Sequence, residues 1–297
     1  MSATRIRLAV ISEGTSSWPL YVAAARGLFS RAGIDVEMTV TGSSVKQLEQ
    51  LIAGGYDIGF QQSDHVVRAV ESGADLFAFM AFAHAPELSL MVAPSVRTLA
   101  DLRGQIIVVD GARTGYALLL RKLLNQNGLA DADYRMQEFG GSQERFEAML
   151  AGRGVATLLN PPFDQRLLEK GFCSLGGTRD FFPDYPGPIG ATSRRWVAQN
   201  GGALEAFAGA MREACNWLKD RSNKADAIGV LPARLDMDER LAAKVFDEYA
   251  EHPLPCITAQ GMREVIEVVW DAERYPGARA APEKYLDLSY LRRALAE

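Results

Sequence analysis

The chain has 297 residues, enough for two domains, and its 48% hydrophobic and 23% charged composition is that of a globular protein with a sizeable core. A formal net charge of −5 lacks the basic excess that binding to phosphates requires, so nucleic acid is excluded as an expected partner. No apolar run approaches the roughly 20 residues of a membrane span, which excludes insertion into a bilayer. Cys173, Cys215 and Cys256 show no C-x-x-C spacing, so neither zinc nor a disulfide framework is expected; buried free thiols are.

From residue 6 to about residue 176, strand-like runs alternate with amphipathic helical runs, the pattern of parallel sheets. IRLAVIS predicts a strand over 6–11, and the loop Glu13-Gly14-Thr15-Ser16-Ser17 leads into a helix starting near Pro19. A strand over 35–40 follows, Gly42-Ser43 opens the next helix, and further strands are expected over 57–60 and 76–82. LSLMVAP reads as a strand and a loop near Leu90–Pro94. A second round then begins: a strand over 106–109, the loop Gly111-Ala112-Arg113-Thr114 and a helix to Asn127. It continues with a strand over 135–139, Gly141-Ser142 before a helix, and strands over 155–159 and 172–175. Glycine closes many of these helices, Gly27 and Gly54 among them, where a left-handed residue is needed. After Pro188 only helices are expected. Leu204, Phe207, Met211, Ala214 and Leu218 share one helical face, and Met262, Val265, Ile266 and Val269 share another. Asp236 with Glu239 reads as a capping box.

The duplication predicts an α/β protein of two βαβαβ lobes, each a mostly parallel sheet flanked by helices. Ligand-binding loops are then expected at the carboxyl ends of the strands, facing a cleft between the lobes. The expected division is 1–91 plus 189–297 for the first lobe, with the C-terminal helices, and 92–188 for the second. Crossovers near Leu90–Pro94 and Tyr185–Thr192 would form a hinge, letting the lobes close on a small molecule.

Pro19-Leu20-Tyr21-Val22-Ala23, Gly27-Leu28-Phe29, Gly33-Ile34-Asp35-Val36-Glu37 and Asp57-Ile58-Gly59 follow one family's layout, in order and spacing. Asp101-Leu102-Arg103-Gly104-Gln105 and Trp217 with Asn223 continue it, so the likeness spans residues 5 to about 231. The chain resembles the ABC-transporter solute-binding proteins of the sulfonate, taurine, nitrate and thiamine-pyrimidine branch. That resemblance implies a type II periplasmic-binding-protein fold. The branch also holds enzymes. The fungal pyrimidine synthase has a histidine eight residues after the Asp of its D-[IL]-G motif, and His65 stands there. Its cysteine-rich iron-binding run would fall near Tyr185–Thr192, where this chain has YPGPIGAT. Desulfinases of similar fold use a cleft cysteine, and no cysteine here lies on a predicted cleft loop; no motif decides for or against the related decarboxylases.

Each candidate contact has a bland alternative. Glu13, Thr15 and Ser16 lie in the first loop, with Trp18 as a stacking face or a packed indole. Gly42, Ser43, Gly141 and Ser142 open the second helix of each lobe, where capping is one role and ligand contact another. Arg113 would hold an anion beside the helix starting at Thr114, or be a solvated arginine, or pair with Asp110. Gln62 and His65 open another helix, where a neutral imidazole is favoured. His84 follows the fourth strand and Asn160 precedes Pro161-Pro162. Phe139, Tyr116 and Tyr185 are walls or core, and His252 is structural. Neither G-x-G-x-x-G nor G-x-x-x-x-G-K-[ST] occurs, so no nucleotide cofactor is implied, and no other cofactor or metal is expected.

The first functional expectation is a non-catalytic receptor that closes on a small polar or anionic organic molecule and delivers it to an ABC permease. The ligand classes are sulfonate, carboxylate or pyrimidine-like. The alternative is a cytosolic enzyme on the same scaffold, a decarboxylase or pyrimidine synthase using His65 or His84 as acid or base. A sensor domain is weaker, because no helix-turn-helix is present. A periplasmic location follows if a leader was removed, a cytoplasmic one if Met1 is the native start; either a monomer or a dimer is compatible.

Overall fold

The computed structural model describes residues 3–81, 88–231, 235, 237–251, 254 and 256–295. Two units result. Unit 1 is Met1–His84, Pro186–Arg263 and Ala280–Glu297; unit 2 is Ala85–Tyr185 and Glu264–Arg279.

Unit 1 is built on β1 (Thr4–Val10), β2 (Ile34–Val40), β3 (Ile58–Gln61), β4 (Leu76–Ala81) and β10 (Ile189–Ser193), in the order β2-β1-β3-β10-β4. β1 pairs in parallel with β2 and β3, whereas β10 runs antiparallel to β3 and β4. Helices α1 (Trp18–Ala25), α2 (Leu28–Arg31), α3 (Ser44–Ala53) and α4 (Ser63–Glu71) connect the first strands. Their short lengths and αL terminators follow the sequence: Gly54 ends α3 at φ 81. Gly59 is needed for close approach, since a Cβ there would stand 2.9 Å from Leu51 Cδ2 of α3.

Unit 2 has β5 (Ser89–Val92), β6 (Ile106–Val109), β7 (Arg135–Glu138), β8 (Ala156–Leu159) and β9 (Cys173–Gly177), in the order β7-β6-β8-β5-β9. β6 is parallel to β7 and β8, and β5 is the antiparallel member, paired with β8 and β9. Its helices are α5 (Gly115–Gln126), α6 (Ser142–Leu150), α7 (Phe163–Glu169) and α8 (Thr178–Phe181). The C-terminal part adds α9 (Arg194–Lys219), α10 (Lys224–Gly229), α11 (Glu239–Glu251), α12 (Ala259–Glu273) and α13 (Ser289–Ala294).

Both sheets are therefore mostly parallel with one reversed strand, and the reversed strands are the expected crossovers. This corrects two expectations. The stretch after Pro188 is a strand before it is helical, because Ile189–Ser193 fills the gap between β3 and β4. The strand expected near Leu90 is present as β5, but unit 2 begins before it rather than at residue 92.

The expected first lobe included all of 189–297, but Glu264–Arg279 belongs to unit 2. Ion pairs account for this in part: Lys122 Nζ of α5 lies 2.9 Å from Glu267, and Arg113 Nη2 lies 2.7 Å from Glu273.

The unit 1 core centres on α9. Leu204, Phe207, Met211, Ala214 and Leu218 are all 0% exposed, as their helical spacing predicts. Phe207 stacks on Phe29 at 5.6 Å between centroids and meets Phe79 edge-on at 6.2 Å. α9 departs from helical geometry at Asn200 (φ −129), just before Gly201-Gly202, the usual setting of a kink. Unit 2 has a smaller cluster: Met91, Val108, Ala148, Met149, Leu159 and Leu167.

The motif residues prove to be structural staples. Asp57 accepts from the Arg7 backbone N–H at 2.8 Å and from Arg7 Nη2 at 2.6 Å, tying β1 to the start of β3. Asp101 accepts from the backbone N–H groups of Arg97 and Thr98, both at 2.9 Å, and these bonds hold its carboxyl below the usual range. Asn223 donates to the Trp217 carbonyl at 2.9 Å. Asp236 and His252 lie outside the described residues; Asp238 accepts from Leu241 N at 2.7 Å at the start of α11. Of the cysteines only Cys215 is buried; Cys256 is exposed and Cys173 half-buried, so buried thiols describe one of the three.

Candidate functional site

In unit 1 the loops after β1, β2 and β3 all leave the carboxyl ends of parallel strands. Thr15–Ser17 forms a short 3₁₀ turn, with Thr15 buried and Ser16 exposed. Glu13 is half-buried and engaged with a partner. Trp18 is not a stacking face. It is 0% exposed, its Nε1–H donates to the Ala227 carbonyl at 2.9 Å, and Phe246 packs on it at 5.9 Å. A large indole at the head of α1 has more apolar contact to gain in the core than at a wet loop. Gly42 takes φ 65, and Ser43 caps α3 by accepting from Lys46 N at 3.3 Å.

β3 ends in Gln61, and α4 follows at once with Gln62 as its N-cap residue. His65 Nδ1 lies 2.8 Å from Gln61 Oε1, one helical turn back. An amide oxygen only accepts, so the imidazole donates here from Nδ1, and in the neutral ring Nε2 is then an acceptor. Asp64 Oδ2 stands 3.9 Å from Nε2 and is itself matched by Arg68 Nη1 at 2.8 Å. Ser63 Oγ donates to the Pro186 carbonyl at 3.3 Å. His84 lies outside the described residues.

In unit 2 the loops after β6, β7 and β8 meet through a residue the sequence reading missed. Arg145, only 3% exposed, donates from Nη1 to the Gly140 carbonyl at 2.7 Å. Its Nη2 donates to Ser142 Oγ at 3.2 Å and to the Leu158 carbonyl at 3.3 Å. Ser142 Oγ–H donates in turn to Asn160 Oδ1 at 2.5 Å. Gly141 and Ser142 therefore do not cap α6 with a side chain as expected; Ser142 joins two loops instead. A cis peptide links Pro161 and Pro162 just beyond. Burial pulls the Arg145 guanidinium below the usual arginine range, with Asp110, Tyr116 and Glu144 opposing that shift. A pocket of about 10 Å³, room for about one water, is lined by Asp110, Tyr116 and Arg145 with apolar neighbours.

Asp110 Oδ1 accepts from Thr114 Oγ1 at 2.6 Å, and Thr114 caps α5. Arg113 does not pair with Asp110. Its side chain is 78% exposed and reaches Glu273. Tyr185 is buried against Phe182, and Phe139 packs at the edge of the unit 2 core, so both follow the bland reading.

Arg145 falls three residues after Ser142 on α6, a spacing that puts both at one helix end; nothing in residue type marks it as buried. Gln47 and Gln61, both 0% exposed, were likewise missed, because glutamine on a helix or at a strand end reads as surface. Among the described residues, no group of three or more His, Cys, Asp or Glu side chains gathers as a metal site, and no helix is long and apolar enough to cross a membrane.

The chain is similar over 96% of its length to the periplasmic aliphatic sulphonate binding protein SsuA from Escherichia coli, covering 98% of that chain at 18% identity and a TM-score of 0.78. It is similar over 99% of its length to the periplasmic nitrate-binding protein NrtA from Synechocystis, covering 89% of that chain at 14% identity and a TM-score of 0.79. These likenesses show the periplasmic-binding-protein fold. A candidate binding protein of Bacillus subtilis, YtlA, is 30% identical over 71 residues, which span only 21% of that relative and 24% of this chain. The sequence description NMT1/THI5 like matches residues 15–225, most of the chain. The protein belongs to the NMT1/THI5-like family.

Proposed function

We propose that the protein is a solute-binding receptor for a small polar or anionic organic molecule, serving an ABC-type permease. The observation that carries this is the convergence, in each unit, of polar loops and helix N-termini at the carboxyl ends of parallel strands, where open α/β sheets bind ligands. Ligand contacts in unit 1 would come from Thr15, Ser16, Gly42, Ser43, Gln62 and His65, with Glu13 at the rim. In unit 2 they would come from Thr114, Gly141, Ser142 and Asn160, with Asp110 and Arg113 beside them. Membership of the family and likeness to periplasmic binding proteins support the reading. A transport role also requires export, so the working location is the periplasm. The enzyme alternative is not favoured by these relatives.

Native mass spectrometry of the purified protein, followed by release and identification of any bound small molecule, tests the proposal. A stoichiometric ligand returned unchanged after long incubation is the expected outcome. Conversion of that ligand to a product would overturn it in favour of catalysis.

A further inference from the structure

Two fully buried glutamines in unit 1 hold amide atoms that the described residues leave without hydrogen bonds. Gln47 is 0% exposed, and neither its Oε1 nor its Nε2 has a hydrogen-bond partner among the described residues. Gln61 is 0% exposed as well, and its Nε2 is also without one. Folded proteins satisfy the large majority of buried polar atoms, so such amides call for an explanation, and broken local rules concentrate where function is served.

Their placement gives one. α3 packs on β3, with Leu51 against Gly59. Gln47 lies one turn before Leu51, on the same face of α3. Gln61 lies two residues after Gly59, on the same face of β3. α3 returns from the carboxyl end of β2 to the start of β3, so it runs opposite to both strands. Both steps therefore lead toward the carboxyl end of β3, where α4 starts and His65 meets Gln61.

We propose that Gln47, Gln61 and His65 read a neutral amide-like edge of the ligand: an N–H donor beside a C=O acceptor, as in a carboxamide, lactam or ureide. This deepens the receptor reading and rests on it. Gln47 presents one acceptor and one donor side by side, complementary to such an edge; Gln61 Nε2 adds a donor and the neutral His65 Nε2 an acceptor for a second N–H. An oxyanion fits poorly, because it offers acceptors only and meets the Asp64 carboxylate 3.9 Å from Nε2. Arg68, three residues after His65, is already held by Asp64. In unit 2, Arg113 is held by Glu273 and Arg145 by three oxygens.

Isothermal titration of the full chain tests this with uracil, hydantoin and nicotinamide as neutral probes and methanesulfonate, nitrate and acetate as anions. At least one neutral probe is expected to bind, and Gln47→Met and Gln61→Met each to weaken it tenfold or more. The melting temperature of Gln47→Met should be equal or higher, since an unpaired amide is replaced by an apolar chain of similar length. Unchanged affinity in both variants overturns the assignment. So does a lower melting temperature in both Gln47→Met and Gln47→Leu, which would mean that the amide has a structural partner. Binding of an anion alone removes the amide reading and leaves the receptor; silence toward all six probes removes both.

Discussion

Unit 1 and unit 2 put similar loops at the same ends of similar sheets, and they treat the buried polar groups there in opposite ways. In unit 2, Arg145 draws the Gly140 carbonyl, Ser142 and the Leu158 carbonyl together, and Ser142 passes the link to Asn160. In unit 1, Gln47 and the Gln61 Nε2 bury hydrogen-bonding capacity without using it. A satisfied network holds its loops rigid before any ligand arrives, whereas an unsatisfied one is stabilised most when a partner is supplied. Unit 2 thus ties its loops together from within, whereas unit 1, on the proposal above, keeps amide capacity for a ligand, although each began from the same βαβαβ plan.

The largest effect that would sharpen this comparison is expected in the unit 1 core. Phe207→Ala should cost about 3–5 kcal/mol, because the ring fills the space between Phe29, Phe60 and Phe79. Denaturant titration followed by tryptophan fluorescence in a Trp270→Phe background reports it, because the other three tryptophans, Trp18, Trp196 and Trp217, belong to unit 1. An early transition confined to this signal is expected rather than one common shift.

Next is Arg145→Met, which should destabilise unit 2 by roughly 3 kcal/mol, as three oxygens lose a charged donor. Arg145→Lys should recover only part of that, since an ammonium cannot span the same fork of acceptors. Hydrogen exchange over residues 140–160 is the readout. Protection unchanged in both variants would break the claim that this network organises the loops.

Arg113→Ala is expected to change stability by no more than about 1 kcal/mol, because an exposed ion pair contributes little. A large loss of ligand affinity in this variant would restore Arg113 as an anion anchor and weaken the division drawn above.

The smallest effect is acid dependence. Glu71 in unit 1 is pulled down by Lys284 and Tyr285 against the opposing effect of burial, and Glu267 in unit 2 by its bond to Lys122. Both carboxyls thus lie below their unfolded value of 4.5. Each contributes stability that is complete above that value and is lost as pH falls through the lowered one. Melting temperature should drop progressively below about pH 4.5. In Glu71→Gln and Glu267→Gln, part of that drop should disappear.

Much of the architecture was legible because it is written in local patterns. Helical spacing put Phe207 and Met211 on a buried face, and glycine at 27 and 54 supplied the left-handed turns that end α1 and α3. The residues that carried the family likeness were informative about fold for the same reason: Asp57, Asp101 and Asn223 hold backbone segments in place. Such residues say little about a ligand. Trp18 shows the limit, since an indole beside a polar loop reads as a binding face until α10 and α11 are known to cover it.

Sequence alone determined the alternation of strands and helices, the twofold repeat and the core faces, because period and capping act between neighbours in the chain. Tertiary structure decided which polar side chains are buried and whether they find partners. Arg145 depends on three loops arriving together, Gln47 and Gln61 on the seating of α3 over β3, and Arg113 on α12 returning with Glu273. Each of those outcomes is set by groups far apart in sequence, where desolvation and hydrogen bonding are settled only once the elements are packed.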